Sequence, residues 1–353
     1  MQACVLHAIG DLRVEEVPLP EPAPGEVRVR ISACGICGSD IPRVFTKGTY
    51  HFPTIPGHEF SGVVDSLGEG VDAEWAHAPV AIFPLLPCFK CEACAQQAYA
   101  QCEDYNYLGS RCDGAFAEYV CAPTWNLLRV PHGVSLEEAA MVEPLAVAAH
   151  ALRRTQPDPG DNILIFGAGP IGLMVAQWAK TWGLGKIMLV DEDVEKLRFA
   201  KKLGYKHLLD ARESDPVEWA RTKTNGGPHI VIEAAGSPIA LGQAFQAVRD
   251  FGKVVLLGNP AGDMPLSQAD YWAVMRKEVT VLGTWNSVYK GYPKNEWQLV
   301  LDALAAGTVD VTPLISHRCT LDELMTHMEI MRDRSAFSNK ILYVNPNCSP
   351  KQD

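Results

Sequence analysis

Apolar positions follow two different rhythms along the chain, and the rhythm changes near residue 150. Before it, short β-branched runs at 26–31, 62–66, 80–83 and 116–120 are broken repeatedly by Pro and Gly, which predicts an all-β, barrel-like domain. After it, unbroken apolar runs at 163–166, 187–190, 206–209, 230–233, 254–257 and 279–282 alternate with longer amphipathic segments such as 238–248. Strands that are apolar on both faces belong in a parallel sheet covered by helices, so these six runs predict a complete doubly wound α/β sheet. Beyond residue 288, helix-like segments at 296–306 and 321–332 lead to a last strand at 340–344. No internal repeat, low-complexity linker or coiled coil interrupts this order.

Composition narrows the class. A chain of 353 residues with 47% hydrophobic and 21% charged residues has material for two ordinary globular domains. The formal net charge of -11 argues against nucleic-acid or anionic-membrane partners, which would repel it. A small neutral substrate fits, whereas a phosphorylated one needs a local basic pocket. The start of the sequence, MQACVLHAIGDLRVEEVPLP, carries no basic segment before an apolar stretch, and no run of about 18 apolar residues occurs elsewhere. A cytoplasmic protein is expected. Eleven cysteines is an odd number, and Cys4, Cys121, Cys319 and Cys348 follow no framework spacing, so a reducing compartment fits better than a disulfide scaffold.

Four of the thiols fall within PLLPCFKCEACAQQAYAQCEDY, as C-x2-C-x2-C-x7-C through Cys88, Cys91, Cys94 and Cys102. That spacing lets one loop wrap a tetrahedron of thiolates around zinc, with all four positions filled by protein, which makes the site structural. An iron–sulfur cluster is the competing reading, but the bacterial ferredoxin run places its fourth cysteine after three residues and before a proline. Here the gap is seven and Glu103 follows.

A second motif lies in DNILIFGAGPIGLMVAQWAKTWGLGKIMLVDED. Strand, Gly167-Ala168-Gly169-Pro170-Ile171-Gly172, apolar helix, second strand and the terminal acid Asp191 form a full dinucleotide-binding unit. Gly167 serves the tight turn, Gly169 the approach of a pyrophosphate to N–H groups at the helix start, and Gly172 the close packing of helix on strand; Pro170 and Ile171 open the helix. Asp191 should accept from the ribose hydroxyls and repel a 2′-phosphate, which favours NAD over NADP. A glycine turn without a cofactor is the alternative.

The N-terminal half adds C-G-I-C-G-S-D at 34–40, P-G-H-E-F-S-G at 56–62 and Val142-Glu143-Pro144. Together Cys37, His58 and Glu143 supply S, N and O ligands to a second zinc with one position left open. Singly, each has a plainer reading: a small buried thiol, a hydrogen-bonded loop histidine, and an acid at a helix N-terminus.

In order and spacing these motifs resemble, over essentially the whole chain, the zinc-dependent medium-chain alcohol and polyol dehydrogenases. The resemblance implies a GroES-like β-barrel catalytic domain (1–152 and 288–353) around an inserted Rossmann NAD-binding domain (153–287), with catalytic zinc in the cleft between them. It implies two Zn2+ per chain and NAD. Cys37, His58 and Glu143 match the catalytic ligands, Glu59 the acid that exchanges with bound water, and the four-cysteine loop the structural site. Ser39 is placed to take the substrate proton. Pro42 stands where many alcohol dehydrogenases carry the histidine that ends the proton relay. A carboxylate third ligand in place of cysteine is harder and suits an oxygen-rich substrate.

The likeness is strongest to the polyol-phosphate branch, through I-P-R-V-F-x-K-G, P-L-L-P-C-F-x-C, the run from Leu108 to Gly114 and Gly283-Thr284-Trp285. It implies oxidation of a secondary hydroxyl on a polyol or a galactitol 1-phosphate-like ester. Arg43, Lys47, His51 and Arg111 are then candidates for the phosphate. Tyr50 and Trp285 would instead wall a bulkier secondary alcohol, such as a steroid side chain, so an unphosphorylated polyol or bulky alcohol remains open. A non-catalytic nucleotide-binding scaffold is the alternative of a different class. The family likeness further implies a homodimer or homotetramer, with 279–283 as a contact between cofactor domains.

Overall fold

The computed structural model describes residues 1–291 and 294–348. The chain divides into two compact units, Met1–Glu143 with Val288–Asp353, and Pro144–Ser287. Helix Val142–Arg154 contains both this first border and the 152/153 border expected from the sequence.

The first unit is built on a seven-stranded sheet in the order Ile315–Cys319, Lys340–Val344, Glu26–Gly35, Glu59–Leu67, Pro79–Ile82, Leu127–Arg129, with Tyr119–Pro123 also pairing on Glu26–Gly35. All pairs are antiparallel except Ile315–Cys319 with Lys340–Val344. Val27, Val29, Ile31, Phe60, Val64, Val80 and Ile82 send their side chains into one buried core. The last strand of the chain thus lies beside one of the first, and the register sets Leu342 opposite Gly35 and Gly35 opposite Glu59. These two pairings bring the ends of three strands together at one place.

The second unit is a six-stranded, wholly parallel sheet in the order His207–Asp210, Ile187–Asp191, Ile163–Phe166, Ile230–Glu233, Lys253–Leu256, Thr280–Gly283. Numbered within the unit, that order is 3-2-1-4-5-6, the arrangement of a dinucleotide-binding sheet. Ile163–Phe166 is buried at every residue, as expected of a strand covered by helices on both faces. No helix among the described residues is long and apolar enough to cross a membrane.

The strand expected at 116–120 begins only at Tyr119. Phe116 and Ala117 are buried as their apolar character requires, but their backbones serve Cys4, Ala3 and Pro56 instead of the main ladder. The helix expected at 321–332 starts at Leu324, because Thr320 and Leu321 form turns that close on Glu323 and Leu324.

Candidate functional site

Two groups of metal-capable side chains lie in the first unit. Cys88, Cys91, Cys94 and Cys102 point their sulfurs inward within 4.8 Å of one another. The Cys88–Cys94 sulfurs are 4.0 Å apart and the Cys91–Cys102 sulfurs 3.9 Å. A tetrahedron with metal–sulfur bonds of about 2.3 Å has edges of about 3.8 Å, so four thiolates around one zinc fit these separations. Backbone N–H groups also converge on the sulfurs. Those of Glu103 and Cys94 bring the Cys91 thiol down to about 6, and that of Lys90 leads in lowering Cys88. Burial acts the other way on the two inner thiols, raising Cys94 to about 12 and raising Cys102. The base of the loop is the antiparallel pair Leu85–Leu86 and Asn106–Tyr107.

The second group is Cys37, His58 and Glu59, whose ligand atoms also lie within 4.8 Å of one another. Cys37 follows the end of Glu26–Gly35, while Glu59 opens the neighbouring strand and His58 immediately precedes it. The pairing of Gly35 with Glu59 therefore sets them side by side. Gly35 has a steric reason to lack a side chain: a Cβ there would meet Glu59 Oε2 at 2.1 Å and Lys340 Cε at 2.9 Å. Lys340, buried at the start of the last strand, forms an ion pair with Glu59 Oε2 and donates to the Ile36 carbonyl at 3.1 Å. Burial disfavours its charge, but Glu59 and Cys37 outweigh that and raise its pKa.

Asp40 is fully buried and organises the turn that carries Cys37. Its Oδ2 accepts from the Cys37 N–H at 3.0 Å, its Oδ1 accepts from Arg43 Nη1 at 3.0 Å, and the same oxygen is 3.3 Å from His58 Nδ1. Burial pushes the Asp40 pKa up, yet His58 and Arg43 bring it below the ordinary carboxylate value. Burial likewise opposes protonation of His58, and the charges of Asp40 and Cys37 overcome it. His58 Nδ1 and Glu59 Oε2 are buried without a hydrogen-bond partner of good geometry. Their charged neighbours are Lys340 for Glu59 and Asp40 for His58, and the S, N, O set of Cys37, His58 and Glu59 is one zinc accepts.

Glu143 is not in that trio. Its Oε1 accepts from the Tyr107 hydroxyl at 3.2 Å. Burial, then the charge of Glu59, lifts its pKa to about 7. Ser39 Oγ donates to Cys37 Sγ at 3.3 Å and accepts from Arg43 Nη1 at 3.1 Å. Arg43 is thus committed on one nitrogen to Ser39 and Asp40. Arg111 lies with its guanidinium 4.3 Å from the Tyr50 ring centroid and 4.1 Å from that of Tyr105. His51 is within 3.1 Å of the Pro53 and Arg111 carbonyls. Trp285 lies in the other unit and is exposed. Sequence reasoning missed Asp40, Tyr107 and Lys340; only Asp40, inside C-G-S-D, had a local signal.

In the second unit the glycine turn behaves as its residue types demand. Gly167 has φ +101°, and a Cβ on Gly172 would meet the Gly167 carbonyl oxygen at 1.9 Å. Gly169 caps the helix Pro170–Thr181, with Ile171 in its first turn, and nothing fills the space where its Cβ would stand. Asp191 ends the second strand, and its two oxygens accept from the Ala168 and Asp193 N–H groups at 2.7 and 2.9 Å. That ties the acid to the turn and leaves each oxygen a lone pair for ribose hydroxyls.

Residues 23–132 match the model of the alcohol dehydrogenase GroES-like domain, and residues 170–306 that of the zinc-binding dehydrogenase. The galactitol 1-phosphate 5-dehydrogenase of Escherichia coli is 34% identical over 348 residues, 98% of this chain and 100% of that protein. The sorbitol dehydrogenase of Bacillus subtilis is 34% identical over 93% of each chain. The crystal structure of the Escherichia coli galactitol-1-phosphate dehydrogenase superposes with a TM-score of 0.91 at 34% identity, covering 98% of this chain and 100% of that one. The chain belongs to the zinc-dependent medium-chain alcohol and polyol dehydrogenase family and is an NAD-dependent oxidoreductase.

Proposed function

We propose that the substrate is a polyol or polyol phosphate, oxidised at a secondary hydroxyl, and that Cys37, His58 and Glu59 hold the catalytic zinc. The observation that carries this reading is the convergence of those three side chains in one buried pocket. Zinc bound there supplies Lewis acidity to the substrate hydroxyl, which lowers the cost of losing its proton as hydride leaves for NAD. Lys340 balances Glu59, and Asp40, itself neutralised by Arg43, orients His58 and the Cys37 turn. Ser39 Oγ would accept the hydroxyl proton while handing its own to the nicotinamide ribose, with Arg43 fixing its orientation. The four-cysteine loop holds the second, structural zinc.

A phosphate ester is favoured by Arg43 and Arg111. Arg43 Nε and Nη2 have no hydrogen-bond partner among the described residues, and Arg111, set between the rings of Tyr50 and Tyr105, is fixed by donating from Nη1 to the Tyr105 carbonyl at 3.1 Å and from Nη2 to the Tyr50 hydroxyl at 3.5 Å. Hexitols, their phosphates and bulky secondary alcohols assayed with NAD decide the class. Arg111→Gln is expected to raise KM for the phosphate ester by about 10-fold or more and to leave the free hexitol unchanged. Equal changes for both would reject the phosphate role.

Asp191 is the ribose acceptor in this reading. Asp191→Ser should shift the NADP/NAD ratio of kcat/KM upward by at least about 10-fold, and an unaltered ratio rejects the assignment.

Self-association is proposed through Thr280–Gly283, an edge strand that among the described residues pairs only with Lys253–Leu256 and is exposed along most of its length. Tyr271, Trp272 and Met275 lie exposed on the helix that precedes it. An open edge of this kind presents unpaired N–H and C=O groups to which a matching strand of a second copy can pair. Light scattering is expected to give a dimer or tetramer, and Val281→Lys a smaller species; a monomeric wild type would refute the contact. A cytoplasmic location fits eleven cysteines that are all free of disulfides.

A further inference from the structure

His317, on strand Ile315–Cys319, and His327, on helix Leu324–Asp333, stand with ring centroids 5.7 Å apart and planes at 63°. Both are half-buried, and neither belongs to the two ligand groups described above. Which nitrogen of each ring carries the proton follows from its partners. Ser316 Oγ has one proton, donated to the Lys340 carbonyl at 3.1 Å, and it accepts from the Asn339 N–H at 2.9 Å. Toward His317 Nδ1, also 2.9 Å away, it can only accept, so Nδ1 holds the ring proton. His327 Nδ1 lies 3.0 Å from the Glu323 carbonyl oxygen, which has no proton to give, so this Nδ1 donates as well. Each neutral ring is then left with a bare Nε2, and neither Nε2 has a hydrogen-bond partner among the described residues.

Two lone pairs on adjacent rings cannot bond to each other. A water that donates to both would satisfy them, and so would a metal ion that both ligate. An imidazole whose Nδ1–H is held by an oxygen while Nε2 stays free is set up for the second, because the outer hydrogen bond fixes the ring and raises its basicity. Burial, then the charge of His327, lowers the pKa of His317, so that ring needs to shed no proton at pH 7. Metal–nitrogen bonds of about 2.0 to 2.1 Å put each ring centre about 3.2 Å from the ion, and two rings on one tetrahedral ion stand about 5 Å apart. A small swing of one side chain closes the observed 5.7 Å to that value. We propose that His317 and His327 form a further metal site, for a divalent cation of the kind imidazole prefers, Zn2+, Ni2+ or Cu2+, with water completing its shell. Glu323 is not a third ligand through Oε2, which accepts from the Thr320 N–H and hydroxyl. With two protein ligands the ion exchanges freely and is lost on dialysis, unlike one held by four thiolates. While bound, it ties the edge strand of the seven-stranded sheet to the helix that follows it in sequence.

The test is a calorimetric titration of the zinc-loaded protein with Ni2+, set beside His317→Gln and His327→Gln. The wild type is expected to take up about one Ni2+ per chain beyond any zinc it releases. Each substitution should weaken that binding by at least about 10-fold, since loss of a ligand costs no less than loss of its outer partner. One imidazole remains in each single variant, so the double variant should bind little worse than either; effects that fail to add mark one shared ion. Saturating Ni2+ should also raise the Tm of the wild type and leave that of His327→Gln unchanged. The two variants lie on different elements, so a fault in folding of one leaves the other to decide. The proposal is overturned if no Ni2+ binds beyond the zinc released, which leaves a bridging water between the rings, or if either folded single variant binds Ni2+ as tightly as the wild type.

Discussion

Cys37→Ser is expected to lower kcat/KM with NAD and the best polyol substrate by at least about 10³-fold, the loss that follows when several kcal/mol of Lewis-acid stabilisation disappear from the transition state. Serine is nearly isosteric, yet at neutral pH its hydroxyl stays protonated and is a poor zinc ligand. The surrounding turn should survive, because the Cys37 N–H bond to Asp40 and the Arg43–Asp40 pair involve no sulfur. Cofactor binding also should survive, since the glycine turn and Asp191 belong to the other unit. Steady-state kinetics with an NADH-binding measurement separate these effects. A loss under about 10-fold, with cofactor binding intact, would mean that Cys37 does not hold the reactive metal.

The second large effect concerns the four-cysteine loop. Between Cys88 and Asp104 the buried residues are Cys94, Ala100 and Cys102, and the helical pieces Glu92–Ala95 and Tyr99–Gln101 are single turns. Such a segment lacks the apolar area to order itself, whereas a structural zinc site is worth about 10 to 16 kcal/mol. Cys94→Ser or metal removal is therefore expected to unfold the loop and expose it to proteolysis between residues 88 and 102. The loop has an internal reporter: Phe89 and Tyr99 pack edge-on against Trp125, centroids 4.9 and 5.0 Å away. Tryptophan emission should shift to the red as the loop detaches. A Cys94→Ser protein with unchanged emission and protease resistance would show that the loop holds itself together without metal.

Much of this was legible in the sequence because the physics is local. The six parallel strands announce themselves as short apolar runs, though their order in the sheet is seen only in the structure. The four cysteines and the glycine turn lie close in sequence, so spacing alone implies geometry. Less was legible where distant strands meet. Nothing near Lys340 reveals that it will lie on Glu59; the pair exists because the last strand lies beside Glu26–Gly35. Equally hidden was that Glu59 would lie with Cys37 and His58 while Glu143 accepts from the Tyr107 hydroxyl. The N-terminal hairpin Gln2–Ala8 with Asp11–Glu16 was overlooked although its signal was present: Ile9-Gly10 supplies the turn, with Gly10 at φ +80°.

The most direct test of the central claim is the zinc content per chain of wild type and Cys37→Ser, measured by elemental mass spectrometry after dialysis against metal-free buffer. With the four-cysteine loop and the Cys37–His58–Glu59 pocket each holding one ion, the wild type should carry about two zinc per chain and Cys37→Ser about one. Equal zinc in the two proteins would contradict the account.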